Sequence, residues 1–344
     1  MEAIDFVIPW VDDTDPVWQA SKRAAWNKFL DIENPEEETK DTNGDCRYRD
    51  MGLLEYWFRS VEKFAPWVNK IYFVTCGQKP VWLNEKHPKL VLVNHKDYIP
   101  SEYLPTFNAG PIELNYHRIP ELSEHFVVFN DDVLLLRPIK PDFFFVQGEP
   151  CLPSNLTPCD YFGYDFWSFL CFSDYVALND HFNLYDAIGK NRDKWFNVHK
   201  LGFKTALKNV LCYKINRTIS IRGYEHLANA HLKSTYREVW DKCPSLLDET
   251  SRHPFRTIGQ VNQWLFCAWN QAAGRFHPEK PYSHGSHYNI STKNLEEVCS
   301  VIRNQSIPQV CLNDSASNDD PEKCFTEIRK ALDTILPEKS AFEL

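Results

Sequence analysis

Between His125 and Leu136 the chain reads His-Phe-Val-Val-Phe-Asn-Asp-Asp-Val-Leu-Leu-Leu, with Asp131 and Asp132 side by side between two apolar runs. Such a stretch reads as a strand in the interior of a large core. An ionised carboxylate held in apolar surroundings without a partner costs several kcal/mol. Adjacent carboxylates at the tip of a buried strand therefore ask for a cation, and a hard divalent ion with a phosphate-bearing substrate meets that demand. Asn-Asp-Asp is also ordinary turn chemistry. Four apolar residues before Asn130, four after Asp132 and no lysine nearby favour the site over the turn. This stretch points to chemistry on a nucleotide or a sugar phosphate.

At 344 residues and 43% hydrophobic content, the chain can bury one elaborated domain or a core with a subdomain. A net charge of −9 and a pI near 5.8 argue against a nucleic-acid partner held by a basic surface. Aromatics are abundant, which fits sugar platforms and core packing equally well. None of the 11 cysteines falls in a Cys-x-x-Cys pair, so a zinc ribbon and a thioredoxin motif are not expected. The thiols imply a reducing compartment, with Cys267 and Cys311 read as small buried hydrophobes. The chain opens on a strand pattern without a basic leader, so no signal peptide is expected. No apolar run approaches the roughly 18 to 20 residues that span a bilayer. A glycine-rich phosphate loop, a Gly-x-Ser-x-Gly elbow and a His-Glu-x-x-His pair are all missing.

Residues 4–11 read as a short buried strand, 17–30 as a helix, and 34–45 as an acidic, turn-rich loop. Helix is expected over 53–64, with its stop at Ala65-Pro66, and strands over 70–75 and 89–93. Further helices are expected over 234–249, 258–272 and 321–336, and a last strand over 307–312. This order predicts an α/β protein with a mainly parallel, Rossmann-like sheet flanked by helices. Ligands of such sheets sit at the carboxyl ends of the strands, where Asp12, Thr75-Cys76-Gly77 and Asn130-Asp131-Asp132 converge. Residues 1–149 and 221–344 form the expected catalytic core, and 150–220 an inserted, lid-like helical segment.

Other polar groups carry weaker signals. Asp12 to Pro16 reads as a turn that caps the next helix, a strong reading for Asp15, which leaves Asp12 as the ligand contact. Glu113 and His117 stand four apart and would share a helix face, as an ordinary ion pair would. His226, Arg256 and Asn313-Asp314 stand in polar stretches that spacing alone would not select.

Four blocks together resemble one family. They are Ile4 to Pro16; Arg47-Tyr-Arg-Asp50 through Phe58-Arg-Ser-Val-Glu-Lys-Phe-Ala-Pro-Trp-Val68 to Asn130-Asp-Asp132; His226 to Arg256; and Cys311-Leu-Asn-Asp314 with Leu336 to Phe342. They are similar, in order, to the conserved regions of the Stealth family of polysaccharide phosphotransferases, in its bacterial capsule and exopolysaccharide branch. A more distant similarity is to the catalytic subunit of the lysosomal-enzyme N-acetylglucosamine-1-phosphotransferase. The resemblance departs at Asp13, where the family often has Gly, at Gln260, often Asp, and at Ala228, commonly Pro.

The resemblance implies a nucleotide-sugar transferase fold of the GT-A type. It implies transfer of a sugar 1-phosphate from a UDP-sugar to a hydroxyl of a glycan or lipid-linked acceptor, with release of UMP. It assigns catalysis to His226, Arg256, Asp132 and Glu113, and the nucleotide or substrate to Asp12, Trp10, Arg49, Asn130 and Asn313. Asp132 and Asp131 would hold Mg2+ or Mn2+. His226 would act as base, with Glu113 orienting it, ligating metal or serving as base itself. The expected place is the cytoplasm, at the inner membrane face through the acceptor, although no strongly basic amphipathic helix stands out. A metal-dependent glycosyltransferase releasing UDP would use the same aspartates, and a noncatalytic carbohydrate-binding protein would use the aromatics.

Overall fold

A computed structural model describes residues 2–33, 42–159, 166–216, 218–221, 225–314 and 318–344. Its centre is a sheet built from β1 (Ile4–Pro9), β2 (Ile71–Thr75), β3 (Leu90–Asn94), β4 (His125–Val128) and, beyond a short β5 (Val133–Leu135), β6 (Asn229–Leu232). The strand order is β6-β4-β1-β2-β3. β4, β1, β2 and β3 run parallel, and β6 closes one edge antiparallel to β4. The mainly parallel α/β sheet expected from the sequence is present.

Side chains alternate across each strand, so one sheet serves two cores. Phe6, Ile8, Phe73 and Val127 face the helix Leu54–Phe64 and the C-terminal helix Pro321–Ile335. Val7, Tyr72, Phe126 and Val128 face the helices Lys233–Lys242 and Trp264–Ala272. Burial on both faces explains why these strands read as continuous apolar runs rather than alternating ones. Asp5 is fully buried at the amino edge, yet it accepts from Asn69 Nδ2 at 2.7 Å, Lys70 N at 3.1 Å and Ser123 N at 2.8 Å. That carboxylate is structural, and it contrasts with the pair at the other edge.

A second sheet joins β5 to β7 (Gly285–Asn289) and β8 (Gln309–Asn313) in the order β7-β8-β5. Val133 pairs with Cys311 and Leu134 with Val310. Asn130-Asp131-Asp132 is therefore the turn by which the chain leaves one sheet and enters the next. The tip is both a turn and a strand end.

Several expectations are corrected. The helix expected over 234–249 breaks at Cys243, because Pro244 cannot donate to the preceding turn and instead starts the new helix Pro244–Arg252. The helix expected from 258 begins at Trp264, whose N–H bonds Asn262 Oδ1 at 2.8 Å. The helix holding Glu113 ends at Leu114, and His117 lies in the separate turn Tyr116–Arg118, so the two share no face. Most of the loop expected over 34–45 lies outside the described residues, as do residues 160–165.

The segment expected as an insertion is helical over Phe166–Asn179, Leu184–Lys190, Arg192–Trp195, Val198–Leu201 and Phe203–Ile215. Strands at its two ends pair antiparallel, Leu156 with Ile221. Its Leu184, Ile188 and Trp195 are buried in the same core as Val7 and Phe126, so it does not form a globule of its own.

Candidate active site

A cavity of about 460 Å³ opens at the carboxyl edge of the sheet. Trp10 follows β1 into its wall, Cys76 follows β2, His95 follows β3, Asn130 to Asp132 follow β4, Asn313 ends β8 and Asp314 follows it. Phe166, Trp167 and Leu170 from the helix Phe166–Asn179 complete it on another side.

The turn that carries the aspartates is held by backbone hydrogen bonds. Phe129 N donates to Val7 O at 2.9 Å, Val133 N to Asn130 O at 3.1 Å, and Leu312 N to Asp132 O at 2.9 Å. These bonds fix the turn between the two sheets. Asp132 Oδ2 accepts the Cys311 thiol at 3.4 Å, while Oδ1 is buried and has no hydrogen-bond partner among the described residues. Burial, and then the charges of Asp132 and Asp50, push the Asp131 carboxyl up to about 8. Carboxylates crowded by like charge, with one buried oxygen orphaned, fit a hard divalent cation. Asp132, His226 and Cys311 bring donor atoms within 4.8 Å of one another, so the histidine and the thiol also lie within reach of such an ion. Cys311 is buried in the core, as expected from sequence, with its thiol turned to Asp132.

His226 sits against the same turn. The Asn130 amide donates to His226 Nε2 at 3.3 Å, and the ring stacks on His287 with centroids 5.5 Å apart. Burial holds the imidazole below its usual range, and His287, Arg47 and Arg256 add to that, with Asp132 opposing. The ring is therefore biased towards its neutral, proton-accepting form.

Arg256 enters the cavity from the loop after the helix Pro244–Arg252. Asn43 grips its backbone, with Nδ2 donating to Arg256 O at 3.0 Å and Arg256 N donating to Asn43 Oδ1 at 2.9 Å. Beneath the loop, Asn108 Nδ2 donates to Gln260 Oε1 at 3.0 Å and Gln260 Nε2 to Phe255 O at 3.1 Å. Gln260 is a buried, uncharged brace. The Arg256 guanidinium lies 5.9 Å from the Phe166 ring and has no ion pair among the described residues. Burial and the Arg47 charge press it below its ordinary value, with Glu113 opposing. Two guanidiniums kept near each other in one wall make a site for an anion.

Glu113 is buried, and that burial raises its carboxyl to about 7, while Arg256 pulls the other way. Its electrostatic partner is Arg256, not His226 or His117. The His117 ring packs instead against Tyr236 and Trp240, and burial pushes it down to about 3.

The cavity gathers Trp10, Arg49, Glu113, Asn130, Asp131, Asp132, His226, Arg256 and Asn313, all singled out from the sequence. Asp12 is not in its wall. Asp12 Oδ1 accepts from Thr14 N at 2.9 Å and Thr14 Oγ1 at 2.6 Å, which closes the turn before the helix Pro16–Glu33. Asp15 Oδ1 accepts from Val17 N at 2.9 Å, as the capping reading expected. Arg49 reaches the rim, where it pairs with the buried Asp314 at 2.9 Å. Asn313 Nδ2 is bonded to Asn289 Oδ1 at 2.6 Å.

Arg47, Asn43 and Asp50 were given no role from the sequence, and Asp314 was raised there only together with Asn313. Arg47 and Arg49 differ only in which one finds a carboxylate 265 positions away, and nothing local records that.

The description Stealth protein CR1, conserved region 1, matches residues 2–29, and Stealth protein CR2, conserved region 2, matches residues 47–151. Those spans carry Trp10, Arg47, Arg49, Glu113 and the aspartate turn. The receptor polysaccharide phosphotransferase WefC of Streptococcus oralis is 38% identical over 346 residues, covering 100% of both chains. A capsular polysaccharide phosphotransferase WcwK of Streptococcus pneumoniae is 38% identical over 99% of this chain and 98% of its own. The exopolysaccharide phosphotransferase cps2G of Lactiplantibacillus plantarum is 32% identical over 99% of this chain and 96% of its own. Among solved structures, galactosyltransferase LgtC in complex with donor and acceptor sugar analogs aligns over 96% of each chain at 9% identity and a TM-score of 0.37. Full-length identity to the phosphotransferases, with both conserved regions in place, establishes that the chain belongs to the Stealth family of polysaccharide phosphotransferases.

Proposed function

We propose that the protein transfers a sugar 1-phosphate from a UDP-sugar to a hydroxyl of a glycan or lipid-linked acceptor, in capsule or exopolysaccharide assembly at the inner membrane face. The observation that carries this reading is one cavity lined both by the guanidiniums of Arg47 and Arg256 and by the Asp131-Asp132 pair. A diphosphate with its cation satisfies both sets of like charges together.

The acceptor hydroxyl attacks the sugar-bearing phosphorus, the bond from that phosphorus to UMP breaks, and a sugar–phosphate–sugar diester forms. The anomeric C–O bond stays intact, so the sugar keeps its configuration. His226 takes the hydroxyl proton at Nε2, where the acceptor replaces the weak bond from Asn130. Arg256 and Arg47 bind the phosphoryl oxygens and stabilise the charge that builds on them. Glu113, ionised, balances the Arg256 charge and keeps its fork aimed. Asp132 with Asp131 would hold Mg2+ or Mn2+, which when bound offsets charge on the leaving phosphate.

The product nucleotide tests the proposal. Incubation of the protein with a UDP-sugar and an acceptor glycan should release UMP and leave a diester visible by phosphorus NMR. Release of UDP would instead assign glycosyl transfer, and neither nucleotide would leave a carbohydrate-binding role.

A further inference from the structure

In a chain of net charge −9, residues 194–224 contain seven lysines and arginines and no aspartate or glutamate. Within this stretch the helix Phe203–Ile215 has an unusual polarity. Its core-facing residues are Ala206, Asn209 and Cys212, all small or polar. Its solvent face carries Phe203 at 68% exposure, Leu207 at 44%, Leu211 at 48% and Ile215 at 71%. Spaced four apart, these side chains form one row along the helix.

The helix cannot roll to bury that row, because Asn209 pins it. Asn209 Nδ2 donates to Ser154 O and Trp195 O, both at 2.9 Å, and Oδ1 accepts from Leu156 N at 3.0 Å. Exposed Lys204 and Lys214 flank the row. The preceding turn extends it with Val198, 48% exposed, and Lys200.

We propose that this face docks on an anionic lipid surface. The apolar row would enter the headgroup boundary while the lysine stems lie along it and their ammonium groups meet lipid phosphates. The charge argues for lipid rather than a second copy of the chain, since a two-fold contact through this face would set lysines against lysines. Among the described residues, no helix is long and apolar enough to cross a membrane. From the sequence alone no strongly basic amphipathic helix stands out. This one escaped because its apolar side is the outer one, which only the partners of Asn209 reveal. Docking goes beyond the transfer reading, to which it adds where a lipid-linked acceptor would be met.

The full-length protein, without donor or acceptor, is sedimented with vesicles of phosphatidylcholine with and without phosphatidylglycerol. Binding to the phosphatidylglycerol vesicles alone, weakened by salt, is expected. The K204E/K214E double variant should bind more weakly by about fivefold per lysine or more. A Leu207→Ser/Leu211→Ser variant should also lose binding with an unchanged melting temperature, since both side chains are exposed. No binding of the wild type at low salt, or equal binding by both variants, overturns the proposal. So does a concentration-dependent dimer that the leucine variant dissolves, which would give the face to a second copy. Because no substrate is present, failure here leaves the release of UMP untouched, and failure of that release leaves docking untouched.

Discussion

The Asn43 carboxamide holds the backbone of Arg256 at both ends, donating to its carbonyl at 3.0 Å and accepting from its N–H at 2.9 Å across 213 positions of sequence. Asn43 is buried and mimics the edge of a strand, so the reach of Arg256 into the cavity depends on it. Asn43→Ala leaves two part-buried backbone groups without their partner, worth about 1–3 kcal/mol each at most. Turnover should fall roughly tenfold or more as the guanidinium loses its aim. Asn43→Asp keeps the accepting oxygen and should lose less. Steady-state kinetics beside a melting curve check this; a drop in stability with kcat intact would reduce Asn43 to a structural role.

The main sheet was legible because its strands are buried on both faces and read as plain apolar runs, from Phe6 to Ile8 and from Ile71 to Val74. The aspartate turn was legible because charge inside such a run is conspicuous. What escaped depended on distant partners. Asn43 looked like a loop residue beside Gly44, because the backbone it grips lies far along the chain. Glu113 and His117 suggested one helix face, but a helix of six residues ends between them. Asp12, read as a ligand contact, stands outside the cavity wall, with one oxygen bonded to Thr14 two residues on.

Arg47 and Arg49 should separate cleanly on substitution. Arg47 has no hydrogen bond or ion pair to its side chain among the described residues, and its charge acts on His226 and Arg256. Arg47→Ala should lower kcat/KM on the order of a hundredfold with little change in stability. Arg49→Ala removes the ion pair of Asp314, whose side chain is only 4% exposed and is left with the Asn318 amide at 2.9 Å, and should destabilise by about 1–3 kcal/mol. Its effect on kcat should be the smaller of the two. Kinetics and denaturant melts of both variants decide, and equal effects on turnover would bring Arg49 back to the substrate.

Asp132→Asn should trade activity for stability. The substitution removes a charge that burdens Asp131 and takes that charge off a buried, unpartnered group. The metal-free variant should melt no lower than the wild type. Its turnover should fall on the order of a hundredfold or more. Manganese binding, followed by the loss of free Mn2+ signal in electron paramagnetic resonance, should weaken in parallel. Chelator should silence the wild type and added Mn2+ restore it. Wild-type affinity for manganese in the variant would move the cation away from this turn.

Glu113 ties stability and activity to pH in opposite directions. Burial raises its carboxyl from an ordinary 4.5 to about 7, with Arg256 opposing. At pH below 4.5 the group is protonated folded or unfolded and carries no penalty. As pH rises towards 7 the unfolded chain ionises freely while the folded one resists, so the folded state loses stability through that window. Above 7 the loss is complete, at most about 3 kcal/mol. Glu113→Gln removes the penalty, so its melting temperature should match the wild type near pH 4.5 and exceed it increasingly up to pH 7. Activity should run the other way, because only the ionised carboxylate balances Arg256. Wild-type kcat/KM should rise through pH 7, and the variant should be slow and lack that rise. If the rise survives in Glu113→Gln, its proton belongs to another group in the cavity, and Glu113 serves Arg256 only by packing.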